Sequence, residues 1–167
     1  MRLTVFLAII VCAAITLMLI SAVAFVQNEK FFSSAPKEAR DIIQPRKKEV
    51  FPGARVFGWV LMLFSLLMIL GVIVIGAWDG IKNHFTFLQF FTRSLVILTV
   101  YKLYDMTFFD WFLLMKAGFF QYYYPEVKAV YPLKKYGYNL KSQLLKLFVI
   151  LPAVSALAAW ICTLFVK

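Results

Sequence analysis

The sequence predicts an all-α, polytopic membrane protein: four transmembrane helices in a bundle, the third long or broken. Three observations carry this expectation. First, 63% of the 167 residues are apolar and the mean hydropathy is +0.82. Only 16% are charged, against about a quarter in an ordinary soluble domain. Second, Leu3–Val26, Val56–Trp78 and Leu147–Val166 carry no charge at all, and each exceeds the ~18 apolar residues that mark a spanning helix. Third, a further apolar stretch within Phe85–Phe120 has the length to span but contains Lys102, Asp105 and Asp110. The length suits one membrane domain covering 1–167, with no separate soluble module.

The first span begins behind Arg2, and Ala22-Val23-Ala24 has the small-x-small form of a signal cleavage site. Its apolar run is longer than the ~7–15 residues of a signal h-region, so an uncleaved span is expected. Ala8, Cys12 and Thr16 recur every four residues, which suits close helix contact. Gly58, Gly71 and Gly76 soften the second span. The last span has a small-residue face (Ala153, Ser155, Ala156, Ala158, Ala159), and Pro152 predicts a kink near its start.

The third span is expected to be one long helix over about 86–116 that protrudes at one end. A break near Tyr104–Met106, followed by an interfacial helix Thr107–Phe120, is the alternative. Ionisable side chains in a bilayer core cost roughly 2.5–3.5 kcal/mol each, so something must compensate for Lys102, Asp105 and Asp110. With about 100° per residue, Thr99, Lys102, Asp105, Asp110 and Lys116 share one half of the helix. Lys102 and Asp105, at i and i+3, can pair. Asp110, beside Trp111, lacks an evident partner within its own helix. Arg93 falls on the opposite face and is expected to snorkel to the outer headgroups. The intramembrane polar site read from the sequence is therefore Thr99, Lys102, Asp105, Asp110 and Trp111.

Topology follows from the bases. Loop 27–55 holds Lys30, Lys37, Arg40, Arg46, Lys47, Lys48 and Arg55, and loop 117–146 with its flanks holds Lys116, Lys128, Lys134, Lys135, Lys141 and Lys146. The other side has only Arg2, Lys82 and Lys167. The positive-inside rule places both long loops in the cytoplasm and both termini outside the cell membrane. Most of the net charge of +10 then faces the inner leaflet, where it attracts anionic headgroups. Nucleic acid is not an expected partner, because no recognition motif accompanies the bases.

In the first loop, Ser34 and Pro36 read as a helix start, with a short helix to about Ile43 whose Ile42 and Ile43 touch the membrane surface. Pro52-Gly53 is a turn signal. The second loop is rich in Tyr, which favours the headgroup level. Lys116, Tyr122, Tyr123, Tyr124, Lys134, Lys135, Tyr136 and Tyr138 are the expected inner-leaflet interface.

Catalytic signatures are missing from the sequence. His84 stands alone, which suits an interfacial residue better than a ligand. Cys12 and Cys162 sit in different spans as small core residues, a disulfide between them being the alternative. There is no phosphate loop, nucleophile elbow, zinc-protease motif or dinucleotide fingerprint. No metal and no cofactor are expected.

Asp105-x4-Asp110-Trp111, Pro125-Glu126 and Tyr136-Gly137-Tyr138 resemble a group of small bacterial four-span membrane proteins of uncharacterised function. The likeness covers about residues 100–150 and implies the four-span fold but no activity. Two function classes stay open. One is a non-enzymatic accessory or scaffold protein that meets lipid, a membrane-protein partner or a second copy of itself. The other is a small transporter or lipid-modifying protein using Lys102, Asp105 and Asp110.

Overall fold

The computed structural model describes residues 2–28, 31, 41–43, 49–129 and 140–166. Among these there are helices and turns but no strand. Helix α1 is Arg2–Ile20 and continues as a π-helical stretch, Ser21–Val26. Helix α2 is Ala54–Lys82, and helix α3 is Phe87–Tyr104, which runs on as a second π-helical stretch, Asp105–Lys116. The short α4, Phe119–Tyr123, leads into a 3₁₀ turn at Pro125–Ala129. Helix α5, Leu140–Leu145, passes through π-helical Lys146–Ile150 into α6, Leu151–Thr163. Among the described residues, three stretches are long and apolar enough to cross a membrane: Arg2–Val26, Ala54–Lys82 and Lys141–Thr163.

The third predicted span is helical throughout from Phe87 to Lys116. The backbone passes from Tyr104 into Asp105 without leaving helical geometry, and the Asp105 N–H donates to the carbonyls of Lys102 and Tyr101. At that residue, however, the hydrogen-bond ladder widens to the i→i+5 pattern of a π-helix. The alternative, a break near Tyr104–Met106, is not present; the helix changes pitch there instead. At Lys116 the helix ends on Gly118, whose φ of 62° is left-handed; such a backbone suits a residue without Cβ.

The chain divides into two compact units. The first comprises Met1–Ala14, Leu67–Asp105 and Asn139–Lys167. In it α3 packs along α6. Ser155 and Ala159, the small pair on α6, are both fully buried, as close approach of two helix backbones requires. On α1, Leu7 and Ala8 are buried, and Leu7 lies against Gly76 of α2.

The α2–α3 connection in this unit is short and fully capped. The His84 N–H bonds to the Ile81 carbonyl and the Phe85 N–H to that of Gly80, which is the Schellman pattern. His84 occupies its left-handed position, with φ 49°. Two residues later Thr86 and Gln89 form a capping box, the Thr86 N–H donating to Gln89 Oε1 at 2.8 Å. The lone histidine thus sits at a backbone corner.

The second unit comprises Ile15–Leu66 and Met106–Tyr138. Its core joins Val23, Ile43, Leu114, Tyr124 and Val127, with Leu19, Met115, Phe119, Phe120 and Tyr123 packed around them. The Ala22-Val23-Ala24 run is buried. Gly58 lets α2 approach the π-helical end of α1: a Cβ there would lie 2.8 Å from Phe25 Cβ and from Val26 Cγ2. Phe25 also stacks edge-on against Phe51 and Phe57. The predicted Pro52-Gly53 turn is present, with Gly53 at φ 85° and its N–H bonded to the Glu49 carboxylate at 2.8 Å.

Candidate functional site

Two ion pairs lie among the described residues of the first unit. On α3, Lys102 is 5% exposed and its Nζ donates to Asp105 Oδ2, three residues along the same helix. This is the predicted i,i+3 pair. Burial of a lone ammonium is costly, and the carboxylate one turn away offsets that cost with a charge-assisted hydrogen bond.

The second pair links two helices. Arg93 of α3 reaches across the hairpin to Asp79 of α2, with Nη2 2.7 Å from Oδ2. Its Nη1 donates to the Gly76 carbonyl at 2.9 Å. The guanidinium also lies over the Phe85 ring, 4.4 Å from the centroid, a cation–π geometry. Arg93 is 9% exposed. A carboxylate, a carbonyl and an aromatic face of its own chain therefore hold the guanidinium in place.

The glycines of α2 make room for this arrangement. Gly80 faces Phe90, and a Cβ at Gly80 would collide with that ring. Phe90 is 3% exposed and meets Phe85 edge-on at 5.6 Å. Phe90 thus supports the Phe85 ring on which Arg93 lies. Reading the spans one at a time does not reveal Asp79, Gly76 or Phe85. The signal available was their distance from the turn: Asp79 lies three residues before the end of α2, and Arg93 six residues after Phe87 opens α3. Antiparallel helices joined by a four-residue turn bring such positions alongside each other.

Beside Arg93 opens a cleft of about 380 Å³. Thr4, Val5, Phe85, Leu88, Gln89, Thr92, Arg93 and Val96 line it. Arg93 is the one ionisable side chain among them.

The other residues read from the sequence fall in several places. Thr99 is half-buried on α3. Asp110 is half-buried within the π-helical stretch, and Trp111 is exposed. A wheel built on 100° per residue does not hold past Tyr104, because π geometry turns less per residue. Lys116 is exposed and lies over the Trp111 ring, 5.6 Å from its centroid.

The tyrosine run splits in the same way. Tyr122 is 78% exposed, whereas Tyr124 is fully buried in the second unit's core. Tyr123 is half-buried, edge-on to Phe119 at 5.3 Å. Tyr124 is not an interface residue: Gly118 and Pro125 fold the chain around it so that its ring packs with Val23 and Leu114. Ile43 joins it there, 8% exposed, while Ile42 stays exposed. Lys134, Lys135, Tyr136, Tyr138 and most of the helix read from Ser34 lie outside the described residues. Cys12 and Cys162 are thiols, not a disulfide. Among the described residues, no three His, Cys, Asp or Glu side chains gather as a metal site.

No protein-family model, curated protein or solved structure matches the chain. What this site does must therefore be argued from its own geometry.

Proposed function

We propose that this chain is a multi-pass protein of the cell membrane that acts as a non-enzymatic accessory or scaffold component, meeting lipid and membrane-protein partners through its helix surfaces. In this reading α3 and its π-helical continuation form a fourth span. They comprise 18 and 12 residues, about 45 Å at the α-helical rise, against a hydrocarbon core of about 30 Å. Both long loops face the cytoplasm and both termini the outside.

One observation carries the functional reading. Arg93 and Lys102, the buried bases of the first unit, are each bound to a carboxylate of the same chain. Charges committed in this way hold helices in register. A transport or catalytic site instead keeps a charge available to a substrate. The broad apolar faces of α2 and α6, with Trp59, Leu63, Val74, Trp78, Leu157 and Trp160 about half exposed or more, suit contact with lipid or with another membrane helix.

A second reading, transport or lipid modification by Lys102, Asp105 and Asp110, draws on the onset of π-helix at Asp105, since π-helical insertions are frequent at functional sites. Purification in mild detergent, with identification of bound proteins and lipids, separates the two. The accessory reading expects specific co-purifying partners that survive Asp105→Asn with Asp110→Asn. Uptake or lipid turnover by reconstituted protein that is abolished by that double change would overturn it.

A further inference from the structure

We propose that the cleft beside Arg93 binds a membrane phospholipid, holding its phosphate against Arg93, Gln89, Thr92 and Thr4 and its acyl chain along Val5, Leu88 and Val96. The inference rests on the membrane reading above and adds a specific ligand site to it.

The polar wall is made of donors. Arg93 carries five N–H groups; Nη1 serves the Gly76 carbonyl and Nη2 the Asp79 carboxylate. The remaining N–H groups belong to a guanidinium fixed by those two bonds and by the Phe85 ring. Gln89 uses Oε1 to accept the Thr86 N–H, which defines its amide orientation and leaves Nε2 as its other polar function. Thr4 and Thr92 add hydroxyl groups. No carboxylate is among the described residues that line the cleft. Asp79 is outside the lining, but its Oδ2 lies 2.7 Å from Arg93 Nη2, so an incoming phosphate is held by the remaining N–H groups and the neighbouring amide and hydroxyl donors rather than by an uncompensated charge. The other lining side chains, Val5, Phe85, Leu88 and Val96, are hydrocarbon.

In the proposed topology the cleft lies near the outer ends of α1 and α3, where a phospholipid changes from polar to apolar. Thr4 and Val5 belong to the first turn or so of α1, which opens at Arg2. Leu88 and Gln89 belong to the first turn of α3, which opens at Phe87. Both helices present their N-terminal, partially positive ends toward this level. Val96 lies nine residues into α3, about 13 Å deeper, along the path an acyl chain would take. In the proposed topology this is the outer leaflet.

The test uses the full chain reconstituted in vesicles of phosphatidylethanolamine and phosphatidylglycerol, extracted in mild detergent and examined for retained lipid by native mass spectrometry. Thr92→Trp fills the cleft from an exposed position. Val74→Trp adds the same bulk on the exposed face of α2, where Val74 is 64% exposed. Wild type and Val74→Trp are expected to retain phospholipid, and Thr92→Trp roughly tenfold less. Equal retention by all three proteins overturns the site. Selective retention of free fatty acid overturns phosphate recognition. An alkaline wash of the vesicles reports separately on the membrane reading: release of wild type overturns that reading and the site together, whereas equal lipid retention by firmly embedded proteins overturns the site alone.

Discussion

Arg93 and Asp79 meet at 2.7 Å across the α2–α3 hairpin, although fourteen residues and a reversal of chain direction separate them. The contact converts two costly charges into a clamp: the arginine on one helix holds both a side chain and a backbone carbonyl of the other. Removing one partner leaves the other buried and uncompensated, a loss of about 3–5 kcal/mol for fully buried pairs and less here because Asp79 is partly exposed. Arg93→Met and Asp79→Leu are each expected to lower the thermal midpoint in detergent. The double variant is expected to lose less than the sum of the two. Additive losses would show that the two residues act independently.

His84 occupies a left-handed backbone position, φ 49°, that glycine adopts without strain. His84→Gly is therefore expected to stabilise the protein by about 0.5–1 kcal/mol, and His84→Val to destabilise it by at least as much because a β-branched residue is disfavoured there. Thermal unfolding of the three proteins in one detergent checks the order Gly, His, Val. A functional role for the imidazole would appear instead as lost partner or lipid binding in the glycine variant at unchanged or raised stability.

Much of this architecture was legible in the sequence. Charge-free runs mark three helices because a spanning segment must be apolar along its whole length, and the Lys102–Asp105 spacing marks a pair because it is local to one helix. Ser155 and Ala159 signal close packing because small side chains at that spacing leave a groove. Contacts across the hairpin were harder to see. Arg93 alone looks like an anchor until the Schellman turn at His84 and the capping box at Thr86 set the length of the connection and bring Asp79 alongside. The π-helical stretch from Asp105 is a change in backbone pitch that apolar periodicity does not encode, so a wheel calibrated on α geometry applies only as far as Tyr104. Tyr124 was misread for a related reason. Its composition matches an aromatic belt, and only the turns at Gly118 and Pro125 direct it into a core.

Gly80 is required by the Phe90 ring, with which any Cβ at that position would collide. Gly80→Ala is expected to cost about 1–3 kcal/mol, as overpacking of a tight contact does, despite alanine's better helix propensity. A compensating Phe90→Leu in the Gly80→Ala background is expected to recover part of the loss. Phe90→Leu alone is expected to destabilise by leaving a gap. If Gly80→Ala were neutral or stabilising, helix propensity rather than ring packing would govern this position.

Lys102 and Asp105 offer the clearest separation of a structural from a chemical role. Lys102→Met alone leaves the Asp105 carboxylate in a mostly buried setting with its partner gone, and is expected to cost several kcal/mol. Lys102→Met combined with Asp105→Leu removes both charges and keeps the apolar volume. Replacing a whole buried pair in this way is commonly neutral or stabilising. A double variant that recovers wild-type stability in detergent and still captures the same partners and lipids would show that the pair serves the fold alone. Recovered stability with lost uptake or lipid turnover would assign Lys102 and Asp105 to chemistry, and the accessory reading would give way to the transport one.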